Sequence, residues 1–288
     1  MKTNIVIGID GSVPSRAALE WGVERALATG ENVEILNAVD SHPDHTDSFK
    51  AKTLADIENV LASATGYAAS RGIPVTTKLV DGEPFDELVR ASRSADILVV
   101  GTHKTGFIQG RSIGSRFMAL SAMSRCPVAF IPNVSLLSRR GVSIVLDDSS
   151  TGRRAAILAA AEAERLSQKL TMIHGEQWQA DEHESARERT TRQLTIADKS
   201  RTLMALQLVT LADGHPLLET KTTATRKSLA IAAIDASMTA ALVVVSHPQA
   251  RASVGSSAGQ FIHDVVLNLG GPVLVVPRTD ADDAPSAV

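Results

Sequence analysis

Short apolar runs alternate with amphipathic segments along the first half of the chain. Residues 4–9 are rich in β-branched side chains and predict a buried strand, and residues 15–29 have apolar side chains at helical spacing. Gly30 then provides a helix stop. The next alternating run, residues 32–39, predicts a second strand. Strand, helix and strand in this order are typical of a parallel α/β unit.

The same alternation continues to residue 131. Predicted strands cover residues 74–80, 97–100 and 128–131, and predicted helices cover residues 48–70, 83–94 and 115–124. Five strands with helices between them predict an α/β fold of the Rossmann-like type. We expect an open, mostly parallel five-stranded sheet with helices on both faces.

The second half repeats the first. Asp10 aligns with Asp148 and Ser12 with Ser150 at an offset of 138 residues, and later positions such as Gly114 and Gly259 align at 145. The second copy therefore has seven extra residues in its middle at this alignment. Two diverged copies predict two similar domains, at residues 1–134 and 141–278. Residues 279–288 have few apolar side chains and predict a disordered tail.

Composition excludes several classes of protein. The 288 residues carry a net charge of −3 with 3% aromatic residues, which argues against a nucleic-acid partner. The single cysteine, Cys126, excludes an internal disulfide framework. No apolar run is long enough for a membrane helix, and the start of the chain has no signal-peptide pattern. We therefore expect a cytoplasmic protein.

A glycine-containing loop at residues 101–114 follows the fourth predicted strand. Ligands bind at the carboxyl edge of open α/β sheets, and glycine lets the main chain approach a phosphate. Ser115 is placed to cap the next helix, and Lys104 and Arg116 add positive charge. The loop is neither a P-loop nor a dinucleotide fingerprint. A flexible strand–helix connection without a ligand remains an alternative.

At these motifs the sequence resembles the universal stress protein family, specifically its two-domain members. Its ATP-binding members have a loop of the form Gly, two residues, Gly, nine residues, Gly, Ser/Thr. Gly101, Gly114 and Ser115 match this form, whereas Lys104 replaces the second glycine. The opening at residues 8–12 and the closing at residues 126–132 are also similar to the family.

The resemblance implies that ATP binds in copy one, with or without Mg²⁺. It implies that Asp10 and the end of the second strand receive the adenine, that Gly101 lies near the ribose, and that Gly114 and Ser115 lie near the phosphates. An Asx turn or helix cap at Asp10 is an alternative role that does not exclude the first. The candidate binding residues are Asp10, Val39, Val100, Gly101, Lys104, Gly114, Ser115 and Arg116.

Copy two retains less of the loop. Ser246 replaces Gly101, Gln249 replaces Lys104 and Gln260 replaces Ser115, so the phosphate cradle is lost. Asp148 is expected to keep the carboxylate at the adenine end. These replacements favour a structural role for copy two over a second nucleotide site.

The expected function is that of a nucleotide-responsive module in a stress response, which presents a ligand-dependent surface to an unidentified protein partner. A slow ATPase is an alternative, although His103 is the one candidate base near the loop. A nucleotide-free interaction scaffold is another. His42, Asp44 and His45 stand close together, but a solvated turn explains them better than a metal site.

The last predicted strand of each copy would expose an unpaired edge. Residues 128–132 and 273–277 match each other and both end in proline. We expect these strands to pair within one chain as an intramolecular pseudo-dimer, with or without further homodimerisation.

Overall fold

The computed structural model describes residues 4–39, 47–102, 113–147, 149–175, 185–247 and 257–279. The chain divides into two compact units, unit 1 at Met1–Ser135 and unit 2 at Leu136–Val288. The predicted segments at residues 41–46, the loop with His103 and Lys104, Asp148, and the tail from residue 280 lie outside the described residues.

Unit 1 contains five strands and four helices in strict alternation among its described residues. They are β1 (Asn4–Gly8), α1 (Val13–Thr29), β2 (Asn32–Val39), α2 (Asp47–Ser70), β3 (Val75–Asp81), α3 (Pro84–Ala91), β4 (Ile97–Thr102), α4 (Ile113–Met123) and β5 (Val128–Pro132). The strands pair in parallel in the order β3-β2-β1-β4-β5.

Unit 2 has the same order of elements in its described part. They are β6 (Val142–Leu146), α5 (Ser150–Arg165), β7 (Leu170–Gly175), α6 (Ala186–Gly214), β8 (Thr220–Thr225), α7 (Leu229–Ser237), β9 (Leu242–Ser246), α8 (Ser257–Leu267) and β10 (Val273–Val276). Its parallel order is β8-β7-β6-β9-β10. The predicted fold class is confirmed in both units.

Helices cover both faces of the sheet in unit 1. A Cβ on Gly22 of α1 would lie 2.5 Å from Ile7 Cδ1, so the odd-numbered side chains of β1 face α1. A Cβ on Gly8 would lie 2.8 Å from Leu88 Cδ2 of α3, so the opposite face is covered by α3. Because helices cover both faces, side chains on both sides of the central strands are apolar, and these strands are unbroken apolar runs in the sequence.

Strand pairing corrects the alignment of the two copies. Ile5 pairs with Ile97, and Val142 pairs with Leu242. Because β4 and β9 correspond at an offset of 145, β1 and β6 correspond at 137, and the predicted offset of 138 is wrong by one residue. The extra length between β7 and β8 is accordingly eight residues, not seven. The apolar run of β6 matched β1 almost equally well at either offset.

The first helices confirm this register. The buried residues of α1 are Pro14, Ser15, Ala18, Leu19, Gly22, Val23, Arg25 and Ala26, and those of α5 are Thr151, Gly152, Ala155, Ala156, Ala159, Ala160, Glu162 and Ala163. Every pair differs by 137. The counterpart of Asp10 is therefore Asp147, not Asp148, and the counterpart of Ser12 is Ser149.

Candidate functional site

The strand order reverses between β1 and β4 in unit 1. From β1 the chain proceeds to β2 and β3 on one side, and β4 and β5 lie on the other side. Loops diverge at such a switch point and leave a crevice at the carboxyl ends of the strands. Asp10 follows β1, and Gly101 lies near the end of β4. The fold therefore brings these two predicted residues to the same crevice.

Asp10 forms an Asx turn at the start of α1. Its Oδ1 accepts a hydrogen bond from the Ser12 amide at 2.9 Å, and Ser12 is the N-cap residue of α1. Gly11 between them has φ of +81°, a conformation that glycine adopts without strain. The side chain of Asp10 remains exposed. The structural role of Asp10 in this turn thus leaves its carboxylate exposed.

The charge of Asp10 is stabilised locally. Partial burial raises the pKa of this carboxyl group, but hydrogen bonds from Ser12 and Ser15 lower it by more, so its pKa lies below the ordinary value. Asp10 is therefore an ionised hydrogen-bond acceptor at neutral pH.

Gly101 is required by the packing of α1. A Cβ at this position would lie 2.2 Å from the carbonyl carbon and oxygen of Pro14 and 2.6 Å from the Ser15 nitrogen. The first turn of α1 therefore rests directly on the end of β4. This contact explains the glycine without a ligand, and it also fixes α1 at the edge of the crevice.

The other predicted residues lie at different depths. Val100 is 5% exposed and pairs with Gly8 and Phe130, so its side chain belongs to the core. Val39 ends β2, and its carbonyl accepts a hydrogen bond from the Gly82 amide at 2.9 Å. Among the candidates at the loop, Lys104 lies outside the described residues.

The start of α4 differs from the prediction. The helix begins at Ile113, so Gly114 and Ser115 lie within its first turn and Ser115 is not the N-cap residue. Their backbone nevertheless stands at the positive end of the helix. Arg116 is exposed and forms an ion pair with Glu83 at 3.1 Å. Its guanidinium group is thus held toward α3.

Two buried polar atoms near this edge have no hydrogen-bond partner among the described residues. They are Asn37 Oδ1 on β2 and Thr102 Oγ1 on β4. Asn37 is anchored through its Nδ2 group, which donates to the carbonyl of Ile9 at 2.8 Å. Buried polar atoms are nearly always paired, so each of these two atoms lacks its usual hydrogen bond within the described part of the chain.

In unit 2 the corresponding carboxylate is fully engaged. Oδ1 of Asp147 accepts hydrogen bonds from the amide and the hydroxyl of Ser149, at 3.2 and 2.6 Å. Its Oδ2 accepts a hydrogen bond from the Ser246 hydroxyl at 2.9 Å. A Cβ on Gly152 would lie 2.1 Å from Oδ1, so glycine makes room for the carboxylate.

This exchange between the units was not visible in the sequence. Unit 1 has Ser15 and Gly101 where unit 2 has Gly152 and Ser246. The shifted alignment assigned the carboxylate to Asp148 and so concealed the correspondence of Ser15 with Gly152. The doublet of Asp147 and Asp148 allows two alignments of the copies, at offsets of 137 and 138, and is the sequence feature that indicates the alternative.

Two negative findings apply to the described part of the chain. No group of His, Cys, Asp and Glu side chains there is arranged to hold a metal ion. None of the helices there has both the length and the apolar character needed to cross a bilayer.

The chain matches the model of the universal stress protein family twice, over residues 1–132 and 139–277. Universal stress protein Rv2028c of Mycobacterium tuberculosis is 30% identical over 168 residues, which cover 56% of this chain and 60% of that protein. Universal stress protein Rv2624c of the same species is 32% identical over 130 residues, or 45% and 47% of the two chains. These matches span about half to three fifths of the relatives' length.

Solved structures show the same fold over nearly the whole chain. A universal stress protein from Archaeoglobus fulgidus has a TM-score of 0.66 at 17% identity, covering 96% of this chain and 97% of that one. The cytoplasmic domain of a prokaryotic cation chloride cotransporter has a TM-score of 0.52 at 13% identity, covering 96% and 95%. With both halves matched by the family model, the chain belongs to the universal stress protein family, as a member with two tandem domains.

Proposed function

We propose that unit 1 binds ATP or a related adenine nucleotide in the crevice between β1 and β4, and that the protein acts as a nucleotide-responsive module in the cytoplasm. The exposed, ionised carboxylate of Asp10 at the switch point is the observation that supports this most directly. A carboxylate there is a suitable acceptor for the exocyclic amine of adenine. Asn37 Oδ1 and Thr102 Oγ1 add polar atoms without partners in the described structure.

The phosphates would lie toward the start of α4. Gly114 and Ser115 are in its first turn, where free amides and the helix dipole favour an anion. Lys104 would add a positive charge from the preceding loop. Gly101 would lie beside the ribose, and the main chain of Val39 beside the base. Mg²⁺, where present, would be coordinated by phosphate oxygens and would keep several of its water ligands.

Unit 2 is proposed to have a structural role. Asp147 has a donor on each carboxylate oxygen, and breaking those bonds would be the first cost of binding a ligand there. The absence of Gly101 and Ser115 equivalents from the sequence of copy two adds to this cost.

Calorimetric titration of the full chain with ATP, with Mg²⁺ and with EDTA, tests the proposal. We expect one site per chain. Asp10→Ala should weaken binding by about tenfold or more, because a hydrogen bond to a charged group is lost. Asp147→Ala is the matched control and should leave the affinity unchanged. Two equal sites, or equal losses in both variants, would contradict the assignment to unit 1.

Binding between Gly101 and Ser115 would change the surface that this segment presents to a protein partner. Limited proteolysis with and without ATP measures this directly: cleavage within this segment should slow when ATP is present. Protection confined to unit 2 would contradict the mechanism.

The pairing of the last strands of the two copies remains a proposal from the sequence. Charged residues at Ala129 and Leu274 should then separate the copies without unfolding either one. Small-angle scattering of such a variant should show a larger radius of gyration, with unchanged circular dichroism. An unchanged radius would reject the pairing.

A further inference from the structure

A small pocket lies between α1 and α2 of unit 1, beside the turn that carries Asp10. Its volume is about 210 Å³, below the range of typical drug-sized sites. Its floor is apolar and buried, with Ile9 7%, Leu19 5% and Ala64 4% exposed. Such a floor accommodates a compact apolar group.

The rim of the pocket is polar. Ser12, Asn59 and Ser63 line it, and Arg16 is its one charged side chain among the described lining residues. Arg16 is exposed and forms no ion pair with any described residue. A cation that lacks a protein partner at the mouth of an apolar pocket favours a ligand with an anionic head and an apolar body.

Unit 2 has a larger side chain at the corresponding place. The buried positions Ile57, Ala64 and Ala68 of α2 match Ser200, Gln207 and Leu211 of α6 in spacing. Gln207 therefore stands where unit 1 has Ala64, and it is completely buried. Leu19, on the floor, corresponds to the smaller Ala156 on α5, so the larger side chain in unit 2 comes from α6 alone. The open pocket is thus a property of unit 1 at these positions.

The pocket is distinct from the crevice but adjacent to it. A Cβ on Gly11 would lie 2.8 Å from Val60 Cγ2, so the Asp10–Ser12 turn rests against α2 at the pocket wall. Neither Asp10 nor Gly101 lines the pocket. Occupancy of the pocket therefore does not require occupancy of the crevice.

We propose that this pocket is a second ligand site, which binds a small organic anion with its carboxylate at Arg16 and its apolar body on Ile9, Leu19 and Ala64. The proposal does not depend on nucleotide binding. The proposal predicts that, of two ligands of equal shape, the charged one binds more tightly than the uncharged one.

Benzoate and benzamide are such a pair of probes. Amide chemical shifts of the ¹⁵N-labelled full chain are followed during titration with each. We expect benzoate to shift the Gly11 and Ser12 resonances and to bind about tenfold more tightly than benzamide. Arg16→Ala should remove this difference, whereas Arg153→Ala at the corresponding position in unit 2 should not alter it.

A second variant tests the cavity rather than the charge. Ala64→Gln introduces the residue of unit 2 and should abolish the benzoate shifts with Arg16 still present. Saturating ATP should leave benzoate binding in place. A benzoate concentration of about 10 mM would populate even a very weak complex. If the Gly11 and Ser12 resonances do not shift at that concentration, this result would overturn the proposal. Displacement by ATP, or unchanged binding to the Ala64→Gln variant, would do the same.

Discussion

The hydroxyl of Ser246 on β9 donates a hydrogen bond to Oδ2 of Asp147 at 2.9 Å, and β4 offers Asp10 no counterpart of this bond in unit 1. In unit 1 the strand residue that corresponds to Ser246 is Gly101, which has no side chain. The helix residue that corresponds to Gly152 is Ser15. Ser15 donates to the Ser12 carbonyl at 2.9 Å and lies close to the Asp10 amide. These differences leave the carboxylate of Asp10 exposed and turn that of Asp147 inward.

Ser15→Gly should therefore weaken ATP binding although Ser15 is not placed against the ligand. Removing its Cβ opens the space that Gly152 provides in unit 2, so Asp10 gains an inward conformation. Affinity falls in proportion to the population of that conformation, and we expect a decrease of about three- to tenfold in calorimetry. Ala62→Gly, an exposed glycine substitution in α2, should leave the affinity unaltered. Equal effects of both variants would point to general destabilisation.

Gly101 and Ser246 should differ in their response to alanine. Gly101→Ala places a Cβ against the backbone of Pro14, which has to move, and we expect the free energy of unfolding to fall by about 1–3 kcal/mol. Ser246→Ala adds no atoms and loses one hydrogen bond, which corresponds to a decrease of about 1 kcal/mol. Urea denaturation of the full chain, followed by probes in each unit, measures both. A harmless Gly101→Ala variant would contradict the observed close approach.

The sequence predicted the fold because its signals are local. Strand and helix periodicity placed β2 at its observed bounds, and Gly30 stops α1 in a left-handed conformation with φ of +70°. Gly101 and the carboxylate after β1 lie at the carboxyl ends of β4 and β1, as their places after two predicted strands indicated. These features depend on neighbouring residues and are therefore readable without a structure.

The error in the repeat alignment had a different cause. Two apolar strands align about equally well when one is shifted by a single residue. Such a shift nevertheless moves every side chain to the opposite face of the sheet. The pairing of β6 with β9 and the buried positions of α1 and α5 distinguish the two alignments. The exchange of Ser15 and Gly101 for Gly152 and Ser246 joins residues far apart in the chain, so local patterns could not reveal it.

Acid should remove the contribution of Asp10 to stability. The pKa of Asp10 is lowered in the folded protein, so its contribution is present above the ordinary value of 3.8 and is lost as the pH falls through the folded-state pKa. Asp10→Asn should thus lower the urea midpoint at pH 7, and the difference from the parent protein should shrink below about pH 4. Asp213→Asn, on an exposed position of α6, is the control and should leave the urea midpoint at pH 7 close to that of the parent protein. A difference that is constant with pH would contradict the role of the ionised carboxylate.

Replacement of Gln207 by an apolar residue should stabilise unit 2. The side chain of Gln207 is fully buried, and neither Nε2 nor Oε1 has a partner among the described residues. A buried amide without hydrogen bonds retains its desolvation cost, which methionine of similar length avoids. We expect Gln207→Met to raise the free energy of unfolding of unit 2 by about 1–2 kcal/mol. Gln193→Met, at an exposed position of the same helix, is the control and should change stability by less than about 0.5 kcal/mol. If Gln207→Met destabilises the protein instead, the amide is bound to internal water, and a crystal structure of the parent protein should show that water at Gln207.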